Sequence, residues 1–225
     1  MNLVLRRLPG LSDYQATWEA MQQFTRGRKT ETPDELWVLQ HPPIYTLGQA
    51  GKPEHLLQAT EIPVLRVDRG GQITYHGPGQ LLVYVLVDLR RRGLTVKGMV
   101  YRLEQAMLNL MAELGIAAQR KTGAPGIYVQ EAKIGALGLR VQQGCTTHGL
   151  ALNVNLDLSP FAHINPCGYA RLPVTRLCDL GVTLPWEQLE ALLIRQLQEQ
   201  LHPGAEAPAA HQPHYPPSED LKPTP

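Results

Sequence analysis

The chain has 225 residues, of which 43% are hydrophobic and 18% charged, and its formal net charge is +1. This length and composition fit one large α/β domain of a globular enzyme and exclude a fibrous or disordered chain. A net charge so close to zero argues against nucleic-acid binding through a bulk electrostatic field.

Cysteine usage and hydropathy indicate the compartment. Three cysteines, Cys145, Cys167 and Cys178, are too few and too irregularly spaced for a disulfide framework or a zinc module. The N-terminal segment has no apolar run long enough for a signal peptide, and no stretch approaches the roughly 20 apolar residues that span a bilayer. We therefore expect a cytoplasmic protein with no membrane contact, in which Cys167 remains a free thiol.

The first part of the chain predicts one amphipathic helix followed by short strands. Apolar residues recur at helical spacing after a possible N-cap at Ser12 or Asp13: Leu11, Tyr14, Trp18, Met21 and Phe24. Residues 36–39 form a short apolar run that two prolines end, and residues 63–67 read as a strand. Residues 81–87 are apolar on both faces, which predicts a central strand covered on both sides.

The second part predicts two more helices around a group of strands. Apolar residues between 96 and 114 follow a helical stripe that Gly115 closes at the C-terminal cap. Strands are expected at 127–129, 132–141 and 148–156, and a last helix from about Pro185 to Leu201. Residues 203–225 contain seven prolines and no periodicity, so we expect one domain over residues 1–202 and a disordered tail.

A glycine-rich segment precedes the predicted central strand. Residues 69–80 contain four glycines, which let a ligand approach the backbone closely and let amide groups point into a pocket. A hairpin or bulge that needs positive φ is the structural alternative. The spacing matches neither a P-loop nor the strand-to-helix glycine motif of dinucleotide-binding domains.

Lys133 stands among small and aliphatic residues of a predicted strand. Two interpretations are open: Lys133 extends its ammonium group from a strand end to solvent, or it occupies a functional pocket. A pocket lysine beside a thiol would favour the thiolate, and its neutral form could accept a proton.

Cys167 lies between Pro166 and Gly168, where no regular element would bury it. A partly exposed thiol in an electropositive setting can act as a nucleophile, so the sequence suggests covalent acyl transfer through Cys167. Cys145 and Cys178 are interpreted as small buried or incidental residues.

Two histidines and a hypothetical zinc site complete the candidates. His76 and His148 each adjoin a glycine at a predicted strand end, and we interpret them as hydrogen-bonding or structural groups. A zinc site can be drawn from Cys145, His148, His163 and Cys167, but its spacing matches no standard pattern, so no metal is expected.

Five ordered motifs resemble the lipoyl(octanoyl) transferase family. They are HPPIYTLG at 41–48, RGGQITYHGPGQL at 69–81, GIYV at 126–129 followed by KIGALG at 133–138, THGLALNV at 147–154, and INPCG at 164–168. The match extends over roughly residues 31–180 in the order found in the family, and the tail from Pro203 lies outside it.

The resemblance implies a fold and an activity. The fold would be an α/β (α+β) domain like the catalytic domains of biotin and lipoate ligases, with a mixed, largely antiparallel β-sheet flanked by helices. The activity would be transfer of an octanoyl or lipoyl group from acyl carrier protein to a specific lysine of lipoate-dependent domains, the first step of endogenous protein lipoylation. Acceptors would be the lipoyl domains of 2-oxoacid dehydrogenases and the glycine cleavage H protein.

The resemblance also implies site residues. Cys167 falls on the acyl-thioester nucleophile of the family, and Lys133 falls on its partner, which lowers the thiol pKa and shuttles protons. The family's substrate-binding stretches map onto Arg69, Gly70, Gly71, Gln72, Ile73, Thr74, Tyr75, His76, Ala136, Leu137, Gly138, Gly149, Leu150 and Ala151. No cofactor is expected, because the carrier protein brings its own phosphopantetheine, and we expect a monomer.

Three other functions remain open. An ATP-dependent lipoate or biotin protein ligase shares the implied fold but needs no nucleophilic cysteine. A cysteine amidotransferase would use the same thioester chemistry with an acylated H protein as donor. A catalytically silent acyl- or carrier-binding module would have no reason to keep a reactive cysteine.

Overall fold

The computed structural model describes residues 3–166 and 172–202. Its elements in chain order are β1 (Leu3–Leu11), α1 (Tyr14–Arg26), β2 (Asp34–Gln40), β3 (Ile44–Leu47), β4 (Val64–Arg66), β5 (Ile73–His76), β6 (Gln80–Leu86), α2 (Val96–Glu113), β7 (Gln119–Arg120), β8 (Ile127–Val129), β9 (Ala132–Gln142), β10 (Cys145–Asn153) and α3 (Trp186–Leu201). Cys167 and the tail at 203–225 lie outside the described residues, so the predicted domain boundary and tail stay predictions.

The strands form two sheets. Seven strands are ordered β1-β2-β6-β10-β9-β8-β7, and β4-β3-β5 form a smaller sheet. In the larger sheet β1 pairs parallel with β2 and the other neighbours are antiparallel. In the smaller sheet β3 pairs parallel with β4 and antiparallel with β5. The prediction of a mixed, largely antiparallel sheet flanked by helices is confirmed.

Helices cover both faces of the large sheet. Because side chains alternate along a strand, Leu81, Val83 and Val85 of β6 pack in one cluster with α2 and α3. Leu82 and Tyr84 point to the other face and pack with Met21 of α1. Every residue of β6 is buried, as predicted for a central strand covered on both sides.

The helix ends agree with the sequence signals. The Asp13 side chain accepts a hydrogen bond from the Ala16 amide and so caps α1. Gly115, with φ of 71°, follows the last residues of α2. Pro185 precedes α3 at its N-cap. Among the described residues, no helix combines the length and apolar character needed to cross a bilayer.

Four sequence interpretations need correction. Leu11 ends β1, which had not been predicted, and is half exposed rather than part of the helix stripe. β10 begins and ends three residues earlier than the predicted strand at 148–156. The glycine-rich segment is not a hairpin, because β5 and β6 belong to different sheets; Gly71 and Gly79 in it do have positive φ. Cys178 is exposed, whereas Cys145 is buried as interpreted.

Candidate active site

One cavity, of about 60 Å³, lies between α1, the glycine-rich segment and the strands β6, β9 and β10. Its lining combines residues from both halves of the chain. The lining residues are Tyr14, Arg69, Gln72, Ile73, Thr74, His76, Leu82, Tyr84, Ala136, Leu137, Gly138, His148, Gly149, Leu150 and Ala151. The walls are largely apolar, and four hydroxyl-bearing or imidazole rings, those of Tyr14, His76, Tyr84 and His148, lie together.

A pair of glycines lets the walls approach. Gly138 of β9 pairs with Gly149 of β10. A Cβ at Gly149 would overlap the carbonyl oxygen of Val83, and one at Gly138 would lie 3.1 Å from the carbonyl oxygen of Gly70. The Gly70 amide donates to the Leu139 carbonyl at 2.9 Å, so the glycine-rich segment is hydrogen-bonded to the edge of the cavity.

Arg69 organises the glycine-rich segment from inside. Its Nη2 donates to the Thr46 carbonyl at 2.6 Å and to the Gln72 carbonyl at 2.9 Å, and its Nη1 donates to the Gly70 carbonyl at 2.9 Å. Nε also donates to Thr46 Oγ1 at 3.1 Å. The buried guanidinium therefore binds three backbone carbonyls while its side chain lines the cavity.

The ring-lined side of the cavity is held by Asp68. The carboxylate oxygen Oδ1 accepts from Trp18 Nε1 at 2.7 Å and from His148 Nε2 at 2.9 Å, so it links α1 to β10. His148 has a φ of 59°, which is uncommon for a residue with a side chain, although it lies inside a strand. With Nε2 donating to Asp68, Nδ1 of His148 can accept from the Tyr14 hydroxyl, 3.4 Å away.

Burial keeps these rings neutral. Desolvation, reinforced by the charges of His41 and Arg69, holds the pKa of His76 well below its usual value. Desolvation also lowers the pKa of His148, despite the opposing effect of Asp68. It raises the pKa of Tyr14 to about 12 and holds the pKa of Tyr84 well above its usual value. At neutral pH the site therefore presents uncharged hydroxyl and imidazole groups to the cavity.

Lys133 is buried, with only 5% of its surface exposed, so it does not extend to solvent from a strand end. Its Nζ donates to the Pro125 carbonyl at 2.9 Å and lies 5.2 Å from the centre of the Tyr128 ring. A Cβ at Gly126 would lie 3.4 Å from this Nζ and 2.5 Å from the Gly135 carbonyl oxygen, so the turn must carry a glycine there. The interpretation of Lys133 as a side chain that extends to solvent is therefore wrong, and its place in a reactive pocket stays a prediction.

Glu104 of α2 fixes the turn against which Lys133 lies. Its Oε1 accepts from the Gly126 amide at 2.9 Å, and its Oε2 forms an ion pair with Arg120 at 2.9 Å. The backbone of Lys133 is held from the other side, because its amide donates to the Pro173 carbonyl and its carbonyl accepts from the Thr175 amide. Residues 173–175 thus run beside Lys133 shortly after the segment that contains Cys167.

The predicted stretches converge on the cavity. Eleven of the fourteen predicted substrate-binding residues line it; the others, Gly70, Gly71 and Tyr75, lie in the same segment, with the Tyr75 side chain in a core cluster. Cys167 lies outside the described residues. In residues 3–166 and 172–202, no three His, Cys, Asp or Glu side chains are arranged to hold a metal ion.

Sequence reasoning missed several residues at the site. Tyr14 had been assigned to the apolar stripe of a helix, and Leu82 and Tyr84 to a central strand, without any role in a cavity. Asp68 had no distinguishing signal, although it directly precedes the glycine-rich segment. The sequence carries only two hints. Asp68 is a polar residue next to a motif, and Tyr14 is a tyrosine rather than a leucine in a buried stripe.

The fold is that of the catalytic domains of lipoate and biotin protein ligases. A bi-partite lipoate protein ligase from Thermoplasma acidophilum aligns with a TM-score of 0.65 at 19% identity, covering 89% of this chain and 83% of that one. A biotin protein ligase from Aquifex aeolicus aligns with a TM-score of 0.56 at 14% identity, covering 88% of this chain and 70% of that one.

The sequence defines the family. The model of the lipoyl protein ligase A/B catalytic domain matches residues 13–198, and the chain belongs to this family. An octanoyltransferase from Thiobacillus denitrificans is 58% identical over 201 residues, which are 89% of this chain and 92% of the relative. An octanoyltransferase from Laribacter hongkongensis is 59% identical over 192 residues, which are 85% of this chain and 93% of the relative. The resemblance found in the motifs is confirmed.

Proposed function

We propose that this protein is an acyltransferase that moves an octanoyl or lipoyl group from acyl carrier protein to a specific lysine of lipoate-dependent domains, through a thioester on Cys167. The observation that carries the proposal is the convergence of three separate stretches of the chain on one largely apolar cavity, in a protein closely similar to octanoyltransferases.

The cavity is suited to an aliphatic chain. Leu82, Leu137, Leu150 and Ala151 contribute apolar wall surface. Each buried methylene contributes about 0.8 kcal/mol, so an eight-carbon chain would gain several kcal/mol over a much shorter one. Discrimination between neighbouring chain lengths would be about tenfold per methylene.

Lys133 is the proposed partner of Cys167. Its buried ammonium group would favour the thiolate by Coulomb attraction if the two side chains are close. Two described features support this pairing: residues 173–175 pair with the Lys133 backbone, and Pro166, Leu172 and Val174 line a common groove. The described residues that follow the Cys167 segment therefore lie beside Lys133, and Pro166, which precedes Cys167, lines the same groove as Val174.

The proposed reaction has two steps. The Cys167 thiolate attacks the octanoyl thioester of the carrier, the new sulfur–carbon bond forms, and the carrier thiol leaves with a proton from Lys133. The acceptor lysine then loses a proton to Lys133 and attacks octanoyl-Cys167, which forms an amide and releases the thiolate. The overall sequence is a ping-pong reaction.

The proposed partners are those that the resemblance to the transferase family implies. The donor is octanoyl-acyl carrier protein, and the acceptors are lipoyl domains of 2-oxoacid dehydrogenases and the glycine cleavage H protein. The proposed steps need no cofactor, metal or nucleotide, and we place the reaction in the cytoplasm with a monomeric enzyme.

Intact-mass spectrometry after mixing with octanoyl-acyl carrier protein tests the proposal. Without ATP or acceptor, an octanoyl increment should map to Cys167, be removed by hydroxylamine and pass to an added lipoyl domain. Cys167→Ala should abolish it, and Cys178→Ala, which changes an exposed thiol outside the cavity, should not. Lys133→Met should slow acylation strongly, whereas Lys121→Met, whose partner is exposed Glu131, should not.

The same experiment separates the alternatives. Acylation of the lipoyl domain from free octanoate only when ATP is present would indicate a ligase, with Cys167 uninvolved. An adduct formed from an acylated H protein, but not from carrier protein, would indicate an amidotransferase. If no octanoyl adduct forms on the protein and no lipoyl domain is acylated, the result would indicate a catalytically silent binding module.

A further inference from the structure

We propose that Tyr14 is a specificity-determining residue whose ring closes the far end of the cavity and limits the acyl chain to about eight carbons. The inference rests on the proposed function, because it assumes that the acyl chain lies in this cavity. It concerns a residue of α1, outside all the motifs that resemble the transferase family.

Strand pairing gives the direction of the cavity. Along β9 the lining residues are Ala136, Leu137 and Gly138, and the next residue, Leu139, pairs with His148 of β10. Lys133 precedes all of them on the same strand. On β9 the cavity lining therefore begins three residues after Lys133 and ends next to the Leu139–His148 pair.

The distance along this direction fits a short acyl chain. Nζ of Lys133 lies beside Gly126, which in turn abuts Gly135. Leu139 lies four positions after Gly135 along β9, which is about 14 Å of extended strand. Allowing about 4 Å for van der Waals contact with a ring at the level of His148 leaves about 10 Å. An extended octanoyl group spans about 9 Å from carbonyl carbon to methyl, because each of its bonds, about 1.5 Å long, advances only about 1.3 Å along the axis of the zigzag.

Tyr14 occupies the level of His148. Its hydroxyl lies 3.4 Å from Nδ1 of His148, and its ring packs 4.7 Å from His41 and 5.8 Å from His76, centre to centre. Tyr14 is the residue of α1 that lines the cavity in the described part of the chain. All other lining residues belong to the sheets or to the glycine-rich segment.

The ring is held in place. The side chain of Tyr14 is 1% exposed, and one turn later Trp18 binds Asp68, which also binds His148. His41 is anchored between the Ser12 carbonyl and the Tyr84 hydroxyl, at 2.6 Å from each. A longer acyl chain would have to displace Tyr14 and leave hydrogen-bonding groups behind it without partners, which is unfavourable in a buried site.

The test is a chain-length profile of acyl-enzyme formation. Carrier proteins loaded with C6, C8, C10 or C12 chains are mixed with the protein, and the rate of the mass increment at Cys167 is measured in a single turnover. We expect Tyr14→Leu and Tyr14→Met to raise the C12-to-C8 rate ratio about tenfold or more, because the stop is removed. Tyr14→Phe keeps the ring and should leave the ratio unchanged.

Controls separate the ring from other effects. Tyr45→Leu removes another buried tyrosine, whose hydroxyl binds the Pro160 carbonyl outside the cavity, and should lower stability without changing the ratio. An unchanged C12-to-C8 ratio in a folded Tyr14→Leu or Tyr14→Met variant would overturn the inference about Tyr14 and leave the proposed function standing. An equal shift in Tyr14→Phe would also overturn it, since the hydroxyl would then set the limit. No acyl-enzyme from the unsubstituted protein with any donor would overturn the proposed function itself.

Discussion

His148 and Asp68 are joined by a 2.9 Å hydrogen bond between Nε2 and Oδ1, which fastens a central strand to the start of the glycine-rich segment. The same oxygen binds Trp18 of α1. One carboxylate thus connects three parts of the chain around the cavity, namely α1, β10 and the start of the glycine-rich segment.

The Asp68 junction should contribute cooperatively to stability. Burial alone would raise the pKa of Asp68, but the bonds from His148 and Trp18 lower it below its usual range, so the folded protein favours the carboxylate. We expect Asp68→Ala to cost about 1–3 kcal/mol. In a double-mutant cycle with Trp18→Phe, urea unfolding should show a coupling of about 0.5 kcal/mol or more. Additive effects of the two substitutions would contradict a shared junction.

The buried His41 should make the protein sensitive to mild acid. Desolvation lowers the pKa of His41 from 6.5 to about 4. Between these two pH values the imidazole is therefore protonated in the unfolded chain and neutral in the folded protein. Stability is then full above pH 6.5 and falls as the pH drops towards 4, by an amount on the order of 3 kcal/mol. Melting temperatures from pH 7.5 to 4.5 should fall less steeply in His41→Gln, even if that variant is less stable at pH 7.5. Equal slopes would exclude His41 as the titrating group.

Asp34 should be among the most sensitive positions for stability. Burial raises its pKa, but the Asp88 amide and the guanidinium groups of Arg92 and Arg91 outweigh this and lower it. Arg28 forms a further ion pair with it at 2.5 Å. Asp34→Asn leaves buried cations without their counter-charge, for which we expect a cost of about 3–5 kcal/mol in thermal or urea unfolding.

The matched control for Asp34 is Glu131→Gln. Glu131 pairs with Lys121 at 2.6 Å, but its side chain is 80% exposed. Exposed pairs contribute less than about 1 kcal/mol. Similar losses for the two substitutions would mean that burial of the Asp34 cluster does not matter.

Gly149 should not tolerate a side chain. Its Cβ would overlap the carbonyl oxygen of Val83 on the adjacent β6 strand, so Gly149→Ala must separate β6 from β10. We expect a loss of about 3 kcal/mol or more, the range of severe overpacking. A Cβ in Gly98→Ala of α2 would lie 3.3 Å from the Thr95 hydroxyl and 3.9 Å from Leu94 Cδ2, and the change gains helix propensity, so its effect should stay within about 1 kcal/mol. Circular dichroism melts of the two variants provide the comparison.

The sequence predicted the elements whose periodicity was strong. All three helices and β6 follow from apolar spacing and from caps such as Asp13 and Gly115, because these signals are local. β1, β3, β5 and β7 were missed. Arg6, Arg7 and Pro9 interrupt the apolar pattern of β1, and Pro42 and Pro43 obscure the start of β3. Each of these strands is recognisable only through its neighbour in the sheet.

The site was predicted by motif rather than by periodicity. The stretches that line the cavity were found because they resemble a family, whereas Tyr14, Asp68 and Tyr84 were not. Their contributions depend on the packing of α1 against the sheet and on one side chain that bridges distant segments. Such contacts between residues far apart in the chain leave no mark in a single sequence.

The two faces of β6 serve different purposes, one in the hydrophobic core and the other at the cavity. Leu81, Val83 and Val85 point to the core formed with α2 and α3, while Leu82 and Tyr84 point to the cavity. Alternate positions of one strand can therefore be randomised in separate libraries, one selected for heat resistance and the other for altered acyl preference. Hits from the two libraries can be combined in one gene with little interference, except where neighbouring residues share a backbone shift.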